Sequence, residues 1–306
     1  MRDAAIAVHG LTKRFGGRPA VDGLTFEVPR GRVTGFLGPN GAGKTTTMRM
    51  ILGLARPTSG TASVFGARYA DLPQPARSVG ALLDAGSFHP RRTARDHLRW
   101  VAAAAEIDRT RIDAALEDVD LARHAMRHVG EFSLGMRQRL GLAAALLADP
   151  ELLILDEPAN GLDPAGIRWL RAFLRRFASE GGAVFVSSHL LAEVAQLADD
   201  VIVIDRGRLV AHTDVRELTT GGTPTARVRT PDVQRLTTIL QSRGGTVREV
   251  DGALEVRGLA PHAVGEAAAG AGIVLHELTT GAHTLEEVFF ELVGRQEDND
   301  GSVAQG

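Results

Sequence analysis

Gly35-Phe36-Leu37-Gly38-Pro39-Asn40-Gly41-Ala42-Gly43-Lys44-Thr45-Thr46-Thr47-Met48 is the stretch on which the fold of this chain turns. An apolar run, Val33 to Leu37, reads as a strand. A glycine-rich loop follows, and Lys44 opens a segment with helical spacing that Gly53 and the cluster Pro57-Thr58-Ser59-Gly60 stop. Gly38, Gly43, Lys44 and Thr45 stand at the spacing of the phosphate-loop pattern, and the strand-loop-helix context that the pattern requires is present. Glycines let successive backbone N–H groups of residues 38–43 turn inward onto phosphate oxygens. The helix start adds the positive end of its dipole. Lys44 supplies a compact charge where the planar fork of arginine fits poorly, and the Thr45 hydroxyl, with Thr46 beside it, suits Mg²⁺.

Working outward, apolar runs alternate with helical spacing. Residues 4–9 and 24–28 read as short strands. From about Thr93 to Ala148 the pattern is helical and rich in Ala, Leu and Arg. Leu152 to Asp156, Ala183 to Ser188 and Val201 to Asp205 are continuous apolar runs of the kind that fill buried parallel strands. Strands alternating with helices predict an α/β parallel sheet. Asp156 and Glu157 end one of those strands. Ligands gather at the carboxyl ends of parallel strands, so Asp156 is suited to hold Mg²⁺ and Glu157 to polarise an attacking water.

Composition narrows the class. Lys plus Arg number 35 and Asp plus Glu 37, a net charge of −2. The basic excess expected of a nucleic-acid-binding chain is missing. There is no cysteine, hence no disulfide framework and no thiolate metal site. Only Lys13 and Lys44 are lysines; a lysine that survives so strong a drift to arginine points to a chemical requirement. The start, MRDAAIAVHG, does not read as a signal peptide. A spanning helix needs about 18 consecutive apolar residues. The run Leu140 to Ala148 is cut by Asp149, Pro150 and Glu151. A soluble chain is expected, so any membrane it serves must be crossed by another chain.

The cluster Thr219 to Thr225 reads as a linker closing a first domain over 4–218, in which 81–148 is the helical part. Residues 226–294 have their own rhythm, strand-helix-strand-strand-helix-strand with a turn at Asp251-Gly252, which predicts a small α+β ferredoxin-like domain followed by the helical HTLEEVFFELV. The polar tail, 295–306, reads as disordered.

Several further segments, in fixed order, carry a resemblance. Phe132-Ser133-Leu134-Gly135-Met136-Arg137-Gln138-Arg139 resembles the signature segment, normally LSGGQ, of ATP-binding-cassette (ABC) transporter subunits. Ala159-Asn160-Gly161-Leu162-Asp163 resembles their D-loop, Ser188-His189 their switch histidine, and Phe15 the aromatic that stacks on adenine. The resemblance implies the P-loop NTPase ABC cassette fold: a RecA-like core, an antiparallel β subdomain and a helical subdomain. It implies two cassettes closing head to tail, each ATP lying between the phosphate loop of one and Ser133 and Gly135 of the other. His189 would hold the γ-phosphate and the attacking water, and Asp163 would link the two sites. Three positions depart from the pattern. Phe132 and Leu134 replace the leading leucine and a glycine of the signature, and Asp84 stands where a metal-contacting glutamine is usual. The C-terminal extension, Asp84 and Ser133 to Arg139 resemble the drug-resistance and antibiotic-export branch, of the daunorubicin- or bacitracin-resistance kind. That branch implies an ATPase at the cytoplasmic face of the cell membrane, bound to a separate permease and exporting an amphipathic compound. The alternative is a soluble ABC ATPase acting on nucleic acid or ribosomes, disfavoured by one phosphate loop and the net charge. A small-molecule kinase needs neither signature nor switch histidine.

Overall fold

The computed structural model describes residues 4–84, 86, 88–215 and 225–280. The chain divides into two compact units, Met1–Asp214 and Val215–Gly306.

In the first unit, β1 (Ala4–Phe15), β2 (Arg18–Pro29) and β4 (Ser59–Val64) form an antiparallel sheet in the order β2-β1-β4. The sequence predicts short strands at 4–9 and 24–28, yet both run twelve residues. Register shifts along β1 break the simple alternation that sequence reading relies on. Ser59 and Gly60, expected only to stop the preceding helix, instead open β4, with Gly60 packed against the Gly10 backbone.

Six strands form the second sheet, in the order β5-β6-β7-β3-β8-β9: β3 (Val33–Leu37), β5 (Val79–Leu82), β6 (Leu152–Leu155), β7 (Ala183–Ser188), β8 (Asp200–Asp205) and β9 (Arg208–Asp214). All pairs are parallel except β8 with β9. Strands β3, β6 and β7 are buried at every residue, which explains their unbroken apolar sequence. Strand β9 is partly exposed, and no strand is predicted there from sequence. Phe26, Phe36 and Phe185 pack ring to ring at 5.0–5.8 Å and join the antiparallel sheet to the parallel one.

The helices are α1 (Lys44–Ile51), α2 (Pro75–Ser78), α3 (Ala94–Ala104), α4 (Arg111–Asp118), α5 (Leu134–Leu146), α6 (Pro164–Ser179) and α7 (Leu191–Leu197). Helices α3, α4 and α5 fill the segment expected to be helical. Three side chains cap helices as their sequences require: Thr93 accepts from Asp96 N at α3, Ser133 from Met136 N at α5, and Asp163 from Gly166 N at α6.

The second unit holds β10 (Thr225–Arg229), β11 (Thr246–Val250), β12 (Ala253–Arg257) and β13 (Glu277–Thr280), an antiparallel sheet in the order β11-β12-β10-β13. Helices Val233–Ser242 and Pro261–Gly270 supply Leu236, Leu240, Val264 and Ala267 to a core shared with Val228, Leu254 and Val256. The division of the chain falls at Asp214, four residues before the boundary read from sequence. Most of the expected linker, the HTLEEVFFELV segment and the tail lie outside the described residues.

Candidate functional site

Parallel register brings three strand ends level. Leu37 pairs with Ser188, and Leu155 with Val186, so β3, β7 and β6 deliver residues 38–43, His189 and Asp156-Glu157 to one edge. That edge encloses a cavity of about 310 Å³ lined by Ala20, residues 39–46, Glu157, Asn160 and His189.

At Gly38 and Gly43 the backbone of the loop packs too closely for a side chain. A Cβ on Gly38 would lie 2.4 Å from Ile204 O, and one on Gly43, where φ is 107°, would lie 2.5 Å from Ala20 O. Gly207 N donates to Ala42 O at 3.0 Å, tying the loop to the β8–β9 turn. The first turn of α1 carries no acid, so its positive end faces the cavity uncompensated by its own helix.

Lys44 is buried, with 6% of its surface exposed. Its ammonium has three donors, and three oxygens surround it: Gly38 O at 2.6 Å, Pro39 O at 3.3 Å and Glu157 Oε1 at 3.3 Å. The other Glu157 oxygen, Oε2, lies 2.7 Å from His189 Nδ1. Thr45 Oγ1 donates to Asp156 Oδ2 at 2.5 Å. A cation, a carboxylate and an imidazole thus meet on one wall, beside a hydroxyl–carboxylate pair, in a cavity floored by backbone amides. That arrangement suits a polyphosphate with a hard divalent cation.

Comparison with known proteins agrees. The ABC transporter family model matches residues 21–160. A model for a domain of unknown function matches residues 224–286, and one for an AAA domain, putative AbiEii toxin, matches 126–195. The bacitracin transport ATP-binding protein BcrA of Enterococcus faecalis is 35% identical over 301 residues, spanning 94% of this chain and 96% of the relative. The protein of the same name from Bacillus licheniformis is 46% identical over 208 residues, 67% of this chain and 68% of the relative. The chain belongs to the ABC transporter family, as an ATP-binding subunit. Among solved structures, an ATP-binding subunit of an ABC transporter superposes with a TM-score of 0.64 at 29% identity, covering 70% of this chain and 91% of the other. A dimeric cassette bound to ADP and Pi shares the fold, with a TM-score of 0.63 at 21% identity over 69% of this chain and 99% of the other.

In this ABC subunit the residues picked from sequence fall into three groups. Pro39, Asn40, Gly41, Ala42, Gly43, Lys44, Thr45, Thr46, Glu157 and His189 line the cavity. Gly38 and Asp156 stand directly behind it, engaged by Lys44 and Thr45. Phe15, Ser133, Gly135, Asp163 and Asp84 are not in the lining. Phe15 ends β1 with its ring 58% exposed and Lys13 Nζ at 5.2 Å from the centroid. Gly135 lies against Gly161 and Leu162, so the start of the signature helix packs on the D-loop of its own chain. Asp84, two residues beyond β5, accepts from Gly86 N at 2.7 Å.

Four contributors escaped the sequence reading. Ala20 and Asn160 line the cavity. Ser187 donates to Asp156 Oδ1 at 2.5 Å and accepts from Glu157 N at 2.9 Å, while Gln138 Nε2 reaches Glu157 O at 3.5 Å. Asn160 stands in a segment already singled out. Ser187 carries a local signal too, as the first hydroxyl after an apolar strand. Gln138 likewise stands in the signature-like segment, while for Ala20 no local signal exists.

Proposed function

We propose that ATP hydrolysis by this subunit powers export of an antibiotic or other amphipathic compound through a separate integral membrane permease. The carrying observation is the similarity to a bacitracin transport ATP-binding protein along 94% of the chain, beyond the cassette and into the second unit. Among the described residues no helix is long and apolar enough to cross a membrane, and in this reading the subunit sits at the cytoplasmic face, held there by the permease.

In this reading the β- and γ-phosphates lie along residues 38–45, and Lys44 neutralises them. Glu157 takes a proton from the attacking water, and His189, 2.7 Å away, orients that carboxylate and the γ-phosphate. Mg²⁺ keeps several waters and takes one or two carboxylates plus substrate phosphates, so it needs no cage of protein ligands. Thr45 and Asp156 are the hard oxygen donors that fit it, and among the described residues no cluster of three or more His, Cys, Asp or Glu offers another site. The cation, when bound, draws charge from the phosphate oxygens. Asp84, which accepts from Gly86 N through Oδ1, is proposed as a further oxygen donor to that site. Phe15 offers an exposed ring face to adenine. Ser133, Gly135 and Asp163, being absent from their own chain's lining, serve the site of a second cassette in a head-to-tail homodimer. The second unit is proposed as a separate ferredoxin-like domain.

The test is recovery of tagged Glu157→Gln protein with ATP from mildly solubilised membranes of its own host, with partners identified by mass spectrometry. A polytopic membrane protein is the expected partner. Ribosomes or nucleic acid with no membrane partner would leave the ATPase standing and overturn the export reading.

A further inference from the structure

We infer that Ser187 is a positioning residue of the hydrolysis site. Its single hydroxyl locks the metal-side carboxylate, Asp156, to the water-side residue, Glu157, so that the two hold one geometry. The inference rests on the roles proposed above for those two residues.

Ser187 is the penultimate residue of β7 and is 1% exposed, in a strand whose preceding residues are all apolar. A buried hydroxyl is kept in such a place only with its hydrogen bonds made. A serine hydroxyl has one proton to donate and lone pairs to accept with. Here the proton goes to Asp156 Oδ1 at 2.5 Å, the short distance of a bond to a charged acceptor, and a lone pair receives Glu157 N–H at 2.9 Å. The second Asp156 oxygen, Oδ2, is already taken by Thr45 Oγ1 at 2.5 Å. Two hydroxyls from two elements, β7 and α1, therefore fix the plane of one carboxylate.

The bond to Glu157 has its own consequence. Glu157 holds φ at 50°, a left-handed conformation that a residue with a Cβ adopts only when its surroundings impose it. Its N–H is bound by Ser187 and its carbonyl by Asn160 N at 3.1 Å. This turn sends the Glu157 carboxylate back between Lys44 and His189. The neighbouring serine does something else: Ser188 Oγ accepts from Leu190 N at 2.9 Å and donates to Glu193 Oε2 at 3.0 Å, as expected for the opposite face of the strand. Of the two adjacent hydroxyls, Ser187 alone joins both carboxylate residues.

Hydrogen-bond partners of metal-binding carboxylates typically change metal affinity or activity by about 10–100-fold when removed. Three quantities test the inference: the ATPase rate at saturating ATP, the Mg²⁺ concentration giving half the maximal rate, and the affinity for a fluorescent ATP analogue in Mg²⁺ and in EDTA. Ser187→Ala is expected to lower the rate at least about ten-fold and raise the half-saturating Mg²⁺ by a similar factor. It should shrink the Mg²⁺-dependent part of analogue affinity and leave affinity in EDTA at the parent value. Ser187→Thr, which keeps the hydroxyl, restores all three. Parent-like values in Ser187→Ala, or equal losses in Ser187→Thr, overturn the inference. Should Ser187→Ala not fold, Ser187→Cys keeps the volume and weakens the donor, and it must show the same losses for the inference to stand. Lys44→Ala in the same titration separates the two levels. Undiminished analogue affinity there defeats the site reading itself, whatever Ser187 does.

Discussion

Glu157 is the residue at which three parts of the sequence meet: Lys44 of the phosphate loop on one carboxylate oxygen, His189 after β7 on the other, and Ser187 on the backbone. A carboxylate so placed accepts a proton from water without losing the contacts that orient it. Glu157→Gln keeps the side-chain volume and removes the base. It is expected to lower the ATPase rate by about 10²–10⁴-fold with ATP affinity near the parent value, checked by steady-state hydrolysis and analogue binding. Turnover at the parent rate would show that another group takes the proton. Lys44, Asp156 and Glu157 were legible in the sequence because each stands at the end of an apolar strand or at a fixed step in a glycine loop, and His189 was legible by resemblance. Asp84 was legible only by resemblance, and its carboxylate is engaged by Gly86 N rather than by the cavity.

Helix α3 carries the chain's most instructive titrating group. His97 is buried, with Phe88 edge-on at 4.8 Å, and burial together with the Arg92 charge holds its pKa below the ordinary imidazole value. The folded state therefore favours neutral His97. Its contribution is fully present above the unfolded pKa of about 6.5 and is lost as pH falls below that, because the unfolded chain takes up the proton first. Asp200, whose pKa burial raises, works in the opposite sense, since its protonation favours folding. The effect is accordingly read as a difference: the melting temperature of the parent should fall more between neutral pH and about pH 5.5 than that of His97→Leu. Equal slopes would rule out His97 as a source. At this scale the helices from α3 to α5 were readable from the spacing between Thr93 and Ala148. Strands β4 and β9 were not, because β4 opens on the Ser59-Gly60 pair that reads as a helix stop and β9 is a partly exposed strand without an unbroken apolar run.

For the whole molecule, two cores lie in one chain. One is built on Phe36, Phe185 and Ile154, the other on Val228, Leu240 and Val256. Deleting residues 221–306 is expected to leave a cassette that melts cooperatively and binds the ATP analogue as the parent does, checked by circular dichroism and titration. Failure to obtain folded protein would count against the division at Asp214. The sequence by itself determined the phosphate loop, the parallel α/β class and the order of strand-end residues. Each of these is written in local spacing: glycines where backbone must approach an anion, and unbroken apolar runs where a strand is covered on both faces. Only the tertiary structure decided which strand ends stand level. The sheet order β6-β7-β3 is a matter of long-range pairing that no local pattern encodes. That pairing sets Ser187 against both Asp156 and Glu157, residues about thirty positions away in the chain, across a gap that one hydroxyl can bridge.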